Sequence, residues 1–201
     1  REALLGVSIT GWMNNPKVLF DEKVLQKGAK IVKEVNREVA AIIGINPAAR
    51  TTCVKPSGNA SVLLQTASGI HAEHSSLYIR NVQMNKESEI TQAITKANPY
   101  MVEESVWSAN GTDVVVSFPI VPKKGSMYKD DLYGVKHLEL VAKAQKHWVI
   151  AGTNEELCAD KGIRHNVSNT IIVDDWNEVE KYVFENRYSF SGISFLSPTG
   201  D

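Results

Sequence analysis

Thr51-Thr52-Cys53-Val54-Lys55-Pro56-Ser57-Gly58-Asn59-Ala60-Ser61 decides how the rest of the chain is read. Thr51 to Val54 suits a buried strand, because branched and compact side chains fit a pleated surface. Pro56 has no N–H to give to a sheet, so the strand is predicted to stop before it. Gly58 lets the backbone approach a neighbour closely or take a positive φ. From Asn59 on, small polar residues lead into Val62-Leu63-Leu64, and a helix is predicted to start here. A helix start combines unpaired N–H groups with the positive end of the dipole, which makes it a place for an anion. A cap that serves stability alone has the same sequence.

The segments on either side alternate between helix and strand. Val24, Leu25, Gly28, Ile31, Val32, Val35, Val39, Ile42 and Ile43 fall on one face at helical spacing. Asp21 can cap this helix and Gly44 can end it. Lys23, Lys27, Lys30, Lys33, Glu34, Arg37 and Glu38 read as its solvated face, because the glutamates interrupt the lysines. Leu4 to Met13 is apolar and glycine-punctuated, and fits a strand or a buried helical turn. Asn14-Asn15-Pro16 is a turn, and Ala67 to Ser75 is a loop of small and polar residues. Strands are predicted at Leu77–Met84, at Val114–Phe118 closed by Pro119, at His165–Val173 and at Gly192–Leu196. Helices are predicted at Lys86–Ala97, at Lys136–Ile150 followed by Gly152, and from Trp176 to Tyr188 after an Asp174 or Asp175 cap. Pro122 to Asp131 reads as an exposed loop. The order of elements is an α/β pattern, with no repeat and no linker that marks a second domain, so 1–201 reads as a single segment.

Composition narrows the function classes. The chain has 201 residues, 43 % hydrophobic and 22 % charged, with a net charge of −1. Nothing in that balance points to nucleic acid. No apolar run is long enough to cross a bilayer, and the start does not read as a signal peptide. Cys53 and Cys158 cannot form a disulfide framework, so a reducing, cytoplasmic setting is expected. The opening Arg1-Glu2-Ala3 and the closing Gly200-Asp201 suggest a piece of a longer polypeptide.

The Ser57–Ser61 turn is the leading functional candidate, and the others carry plainer readings. His71 and His74 stand three apart beside Glu73, but no third metal ligand is obvious. Cys53 reads as a small core residue and lacks the Cys-x-x-Cys spacing of a redox pair. Ser168, Asn169 and Thr170 can bond either a ligand or neighbouring backbone. No Walker loop, Gly-x-Gly-x-x-Gly fingerprint or Gly-x-Ser-x-Gly elbow is present.

At Thr52-Cys53-Val54-Lys55-Pro56-Ser57-Gly58 followed by Thr66-Ala67-Ser68-Gly69-Ile70-His71, the chain resembles the ribonucleotide reductases. It is most similar to the adenosylcobalamin-dependent class II in its ribonucleoside-triphosphate form. Leu5 to Gly11, Tyr78-Ile79-Arg80, His165 to Ile171 and Gly192 to Leu196 agree in the same order. The resemblance implies the C-terminal part of a ten-stranded α/β barrel, with mixed strands and covering helices. It implies that Ser57, Gly58, Asn59, Ala60 and Ser61 hold the substrate phosphates on helix N-terminal amides. Asn59-Ala60 departs from the family, where many members have threonine and another small residue.

The family's Asn-x-Cys-x-Glu radical motif is absent, as are its pair of reducing barrel cysteines and its Cys-rich tail. No catalytic and no metal-binding residue is therefore assigned to this chain. For the whole enzyme the resemblance implies adenosylcobalamin, a ribonucleotide di- or triphosphate substrate and a thiol reductant such as thioredoxin. It also implies that this segment alone is inactive. Open strand edges and an uncovered apolar face predict self-association. A reductase of another class, or a non-catalytic nucleotide- or phosphate-binding module on the same scaffold, are the competing readings.

Overall fold

A computed structural model describes residues 2–198, apart from the side chain of Asn59. β1 (Leu4–Ser8) and β2 (Arg50–Cys53) run parallel, with α1 (Pro16–Leu19) and α2 (Glu22–Ile43) between them. A parallel pair cannot be closed by a tight turn and needs a crossover of this kind. α2 begins and ends where its capping residues stand. The Asp21 carboxylate accepts from Val24 N, and Gly44, at φ 74°, returns its N–H to Ala40 O. Such a φ suits glycine because no Cβ stands in the way.

All four residues of β2 are buried. Beyond its end the parallel pairing continues through a single bridge between Val54 and Val167. Val54 N donates to Asn166 O at 3.2 Å, and Ser168 N donates to Val54 O at 2.8 Å. β6 (Ile171–Ile172) then pairs in parallel with β7 (Phe195–Leu196), with α6 (Trp176–Glu185) as the crossover. Parallel strands joined by helices make this region α/β. α3 (Gly58–Leu63) follows β2, and α5 (Gly134–Ala144) precedes β6.

α5 continues into a π-helical turn over Gln145–Ile150. This end of the helix grips β2. The Thr52 hydroxyl donates to Trp148 O at 2.7 Å, and the Thr51 hydroxyl to Gly152 O at 2.8 Å. The Trp148 indole N–H donates back to Cys53 O at 2.9 Å. Gly152 has a steric reason to be glycine, because a Cβ there would collide with the Thr52 side chain. The core beneath is built from Trp12, Leu25, Ile70, Leu138, Trp148 and Ile171, with smaller side chains between them.

His74–Pro122 forms a compact unit of its own, distinct from the unit formed by the residues up to Glu73 and from Lys123 on. It contains β3 (Tyr78–Asn85), α4 (Glu89–Ala97), β4 (Val102–Glu104) and β5 (Asp113–Ile120). The strands are antiparallel in the order β3-β5-β4. β4 is too short and too charged to be read from sequence. β5 runs through Pro119 instead of closing before it. β4 pairs only with Val114 to Val116, so β5 is open on that side at Pro119 and loses no pairing there for want of an N–H.

Three further expectations change. The strand predicted over His165–Val173 has regular pairing only at Ile171–Ile172. Its middle is held by a side chain, since Asn169 Nδ2 donates to Val167 O at 2.7 Å and to Gly192 O at 3.1 Å. The loop predicted as exposed over 122–131 is exposed at Lys123 to Gly125. It then docks, with Ser126 buried and Met127 N bonded to Met13 O at 2.8 Å. Lastly, the apolar face of α2 is only partly buried. Leu25, Ala29 and Ala40 enter the core, whereas Val24, Ile31, Val35 and Ile42 are 47–82 % exposed.

Candidate functional site

Lys55, Pro56 and Ser57 carry the chain from the carboxyl end of β2 into α3. Ser57 occupies the N-cap position, yet its hydroxyl makes no capping bond. It lies 2.5 Å from the Thr10 hydroxyl instead. The single Thr10 proton goes to Ala67 O at 3.0 Å, so Ser57 is the donor of that pair. The first bond of the helix runs from Ser61 N to Ser57 O at 2.6 Å. The N–H groups of Gly58, Asn59 and Ala60 precede that bond and therefore have no partner inside α3. A Cβ on Gly58 would meet nothing within 4 Å, so the turn faces open space.

The five predicted residues are consecutive and differ in what they bond. The amides of Gly58, Asn59 and Ala60 have no partner inside α3. Ser61 is buried, and its hydroxyl donates to Gly58 O at 3.0 Å. The side chain of Asn59 lies outside the described residues. Gly58 neither takes a positive φ nor presses on a neighbour; Gly69 does both. Its φ is 56°, and a Cβ there would stand 2.8 Å from Lys55 O.

A knot of short-range contacts fixes the turn from behind. Ser57 N donates to Ser68 Oγ at 3.1 Å, Gly69 N to Thr10 Oγ1 at 2.9 Å, and Lys55 N to Ser8 Oγ at 2.9 Å. Asn14, which the sequence marks only as part of a turn, is the centre of this knot. Its Oδ1 accepts from Thr66 Oγ1 at 2.5 Å and from Ala67 N at 2.6 Å. Its Nδ2 donates to Glu73 Oε1 at 2.7 Å and to Ser126 Oγ at 2.9 Å. All four hydrogen-bonding sites of the amide are used.

His137, on α5, secures the same loop. Its ring is buried and its Nε2 lies 3.1 Å from Ile70 O, which selects the tautomer with the proton on Nε2. Burial lowers its pKa to about 4, although the bond to Ile70 opposes that shift. Sequence reasoning missed His137, because a histidine inside an amphipathic helix carries no signal of its role.

The remaining candidates separate. His71 Nδ1 lies 3.0 Å from Ser68 O, and the His71 ring meets His137 edge-on at 6.5 Å between centroids. His74 meets Tyr78 edge-on at 5.7 Å between centroids, within the unit formed by residues 74–122. Among the described residues no group of three or more His, Cys, Asp or Glu could hold a metal ion. Cys53 and Cys158 are both free. Burial pushes the Cys53 thiol up, against the pull of Lys55. Cys158 Sγ points at Asn154 O, 3.4 Å away. Asn169 satisfies backbone, as described above. Among the described residues no helix is long and apolar enough to cross a membrane.

No family model matches this chain. It is 30 % identical over 172 residues to a probable adenosylcobalamin-dependent ribonucleoside-triphosphate reductase of Dictyostelium discoideum, covering 84 % of this chain and 20 % of the relative. It is 26 % identical over 202 residues to the adenosylcobalamin-dependent ribonucleoside-triphosphate reductase of Euglena gracilis, covering 98 % of this chain and 26 % of that one. The curated relatives it matches are ribonucleotide reductases. The crystal structure of a B12-dependent, class II ribonucleotide reductase superposes with a TM-score of 0.70 at 20 % identity, over 90 % of this chain and 24 % of the other. That likeness speaks for the α/β fold. The chain spans about a fifth to a quarter of the length of these curated relatives.

Proposed function

We propose that this chain forms the substrate-phosphate wall of an adenosylcobalamin-dependent ribonucleotide reductase. Ser57, Gly58, Asn59, Ala60 and Ser61 cradle the phosphates of a ribonucleoside di- or triphosphate. The observation that carries the reading is the helix start at Gly58–Ala60, with amides unpartnered inside α3 and no side-chain cap. It stands at the carboxyl end of a parallel strand, where open α/β sheets receive ligands. Lys55, exposed two residues before Ser57, adds positive charge at this end of the strand. The whole enzyme converts ribonucleotides to 2′-deoxyribonucleotides by thiyl-radical chemistry, in a cytoplasmic setting, with a thiol reductant such as thioredoxin to restore it. All 201 residues belong to one segment, the C-terminal part of a ten-stranded barrel, and self-associate when isolated.

This segment's contribution is positioning. A radical that must meet one C–H bond of the ribose depends on orientation, and fixed phosphates supply it. Adenosylcobalamin supplies the radical chemistry of the whole enzyme. Its corrin ring is rimmed with amides and asks for many matched hydrogen-bonding groups. The groove of about 520 Å³ beside α6 is lined by Trp176, Val179, Val183, Phe184 and Phe195, with Glu180 and Arg187 as its only charges. The described residues here do not fit the cofactor, and no step of this chain is routed through it.

Gly58→Glu tests the assignment in the whole reductase. The new side chain has room, so folding is preserved, while its carboxylate opposes the phosphates. KM for the nucleotide is expected to rise about tenfold or more with a smaller effect on kcat. An unchanged KM contradicts the phosphate assignment.

A further inference from the structure

The π-helical turn that ends α5 borders a cavity of about 350 Å³. Turns of this kind are rare and are frequent at functional sites. Lys143 and Lys146 line the cavity from the helix, and the turn Arg187–Ser189 after α6 brings Tyr188 and Ser189 to it. Among the described residues neither of those two hydroxyls bonds another protein group.

Two buried side chains complete the lining, Gln145 and His147, which are 3 % and 5 % exposed. Both keep unused hydrogen-bonding capacity. Gln145 Nε2 donates to His165 O at 2.9 Å and to Ser191 Oγ at 3.1 Å, while its Oε1 has no protein partner among the described residues. That oxygen is not sealed from the space beside it. Gln26 Nε2 donates to His147 Nδ1 at 2.9 Å, which puts the imidazole proton on Nε2. His147 Nε2 stands 3.6 Å from Glu22 Oε2, too far for a good hydrogen bond. Buried polar groups left in this way cost stability unless a ligand or water completes them.

The charge balance favours an anion. One carboxylate, Glu22, serves both Lys143 at 3.4 Å and His147 at 3.6 Å. Lys146 has no ion pair among the described residues, so a positive charge is left over. Carbonyls at the end of a helix repel anions, but here they are engaged elsewhere. Trp148 O accepts from Thr52 Oγ1 and Gly152 N, and Val149 O accepts from Thr153 Oγ1.

We infer that this cavity binds a small phosphate monoester that also carries a hydroxyl, of the sugar-phosphate class. Lys143, Lys146, Tyr188 and Ser189 offer donors from two sides, which match the three terminal oxygens of a phosphate monoester better than the two of a carboxylate. Gln145 Oε1 accepts from the ligand hydroxyl. The volume lies at the small end of the range for ligand cavities. The site shares no residue with the Ser57–Ser61 turn and does not rest on the reading of that turn.

Titration of the 201-residue chain with glycerol 3-phosphate tests it, followed by NMR at the His147 ring and the Lys146 amide. Saturable shifts are expected at both. Burial holds the His147 pKa below its ordinary value, with Glu22 opposing that shift and Lys146 and Lys143 adding to it; a bound phosphate should raise it. Lys146→Glu should weaken binding about tenfold or more, whereas Lys96→Glu, the same charge change in the His74–Pro122 unit, should leave it within about twofold. Inorganic phosphate should bind more weakly than the ester, and glycerol should not bind. The site is refuted by a His147 ring that does not respond, or by sodium chloride at equal ionic strength giving the same shifts. Inorganic phosphate binding as tightly as the ester refutes the ligand class. Shifts confined to Gly58–Ala60 would uphold that turn and refute this cavity.

Discussion

Two strand-to-helix turns of this molecule can be compared directly. Both follow a parallel strand, one leading from β2 into α3 and the other from β6 into α6. At the second, Asp175 closes the helix start, because its Oδ1 accepts from Asn177 N at 2.8 Å and from Glu178 N at 3.2 Å. At the first, Ser57 has the right position and the right chemistry to cap, and does not. Its hydroxyl turns inward to Thr10, and the amides of Gly58 to Ala60 are left without a partner inside α3. One turn satisfies its own backbone with a negative charge, which also excludes an anion. The other keeps its donors available and places no acidic side chain among them. A helix start becomes a candidate site when the protein withholds the cap it could have made.

The open turn depends on the knot behind Ser57, and the largest expected effect lies there. Asn14→Leu keeps the branched shape at Cγ, adds some bulk and removes four hydrogen bonds at once. It should destabilise the chain by about 3 kcal/mol in denaturant unfolding. A loss below about 1 kcal/mol would show that the open turn stands without that support.

Acid tests the same loop through His137. Its folded pKa lies near 4, below the ordinary value of 6.5, so the unfolded chain takes up the proton first as pH falls. The stability this group contributes is complete above about pH 6.5 and drains away between about 6.5 and 4, by roughly 3 kcal/mol. Replacing His137 with glutamine should flatten that part of the unfolding profile. A slope that survives the replacement would assign the acid sensitivity elsewhere.

The smallest effect belongs to the closed turn. Asp175→Ala should cost about 1 kcal/mol, the usual value of a lost cap. It should leave anion binding at Gly58–Ala60 untouched, as measured by titration. A change in that binding would mean the two turns are not independent.

Much of this was legible in the sequence, for reasons that are local. Asp21 and Gly44 bound α2 because capping and glycine's freedom at positive φ act within a few residues. Thr51 to Cys53 formed a buried strand, and Asp175 capped α6, on the same grounds. The withheld cap at Ser57 was not legible, since it depends on Thr10, 47 residues away. Asn14 was hidden for the same reason, because its partners span residues 66 to 126. The strand expected through Asn169 failed because its neighbours are not continuous strands. The apolar spacing of α2 predicted a single buried face. Spacing reports which residues share a face, and not whether anything covers it.

The most direct test of the central claim follows the amide resonances of this chain while inorganic tripolyphosphate is added. Saturable shifts are expected at Gly58, Asn59 and Ala60, with Asn177 and Glu178 at the capped turn unmoved. Shifts of equal size at both turns, or none at Gly58 to Ala60, would contradict it.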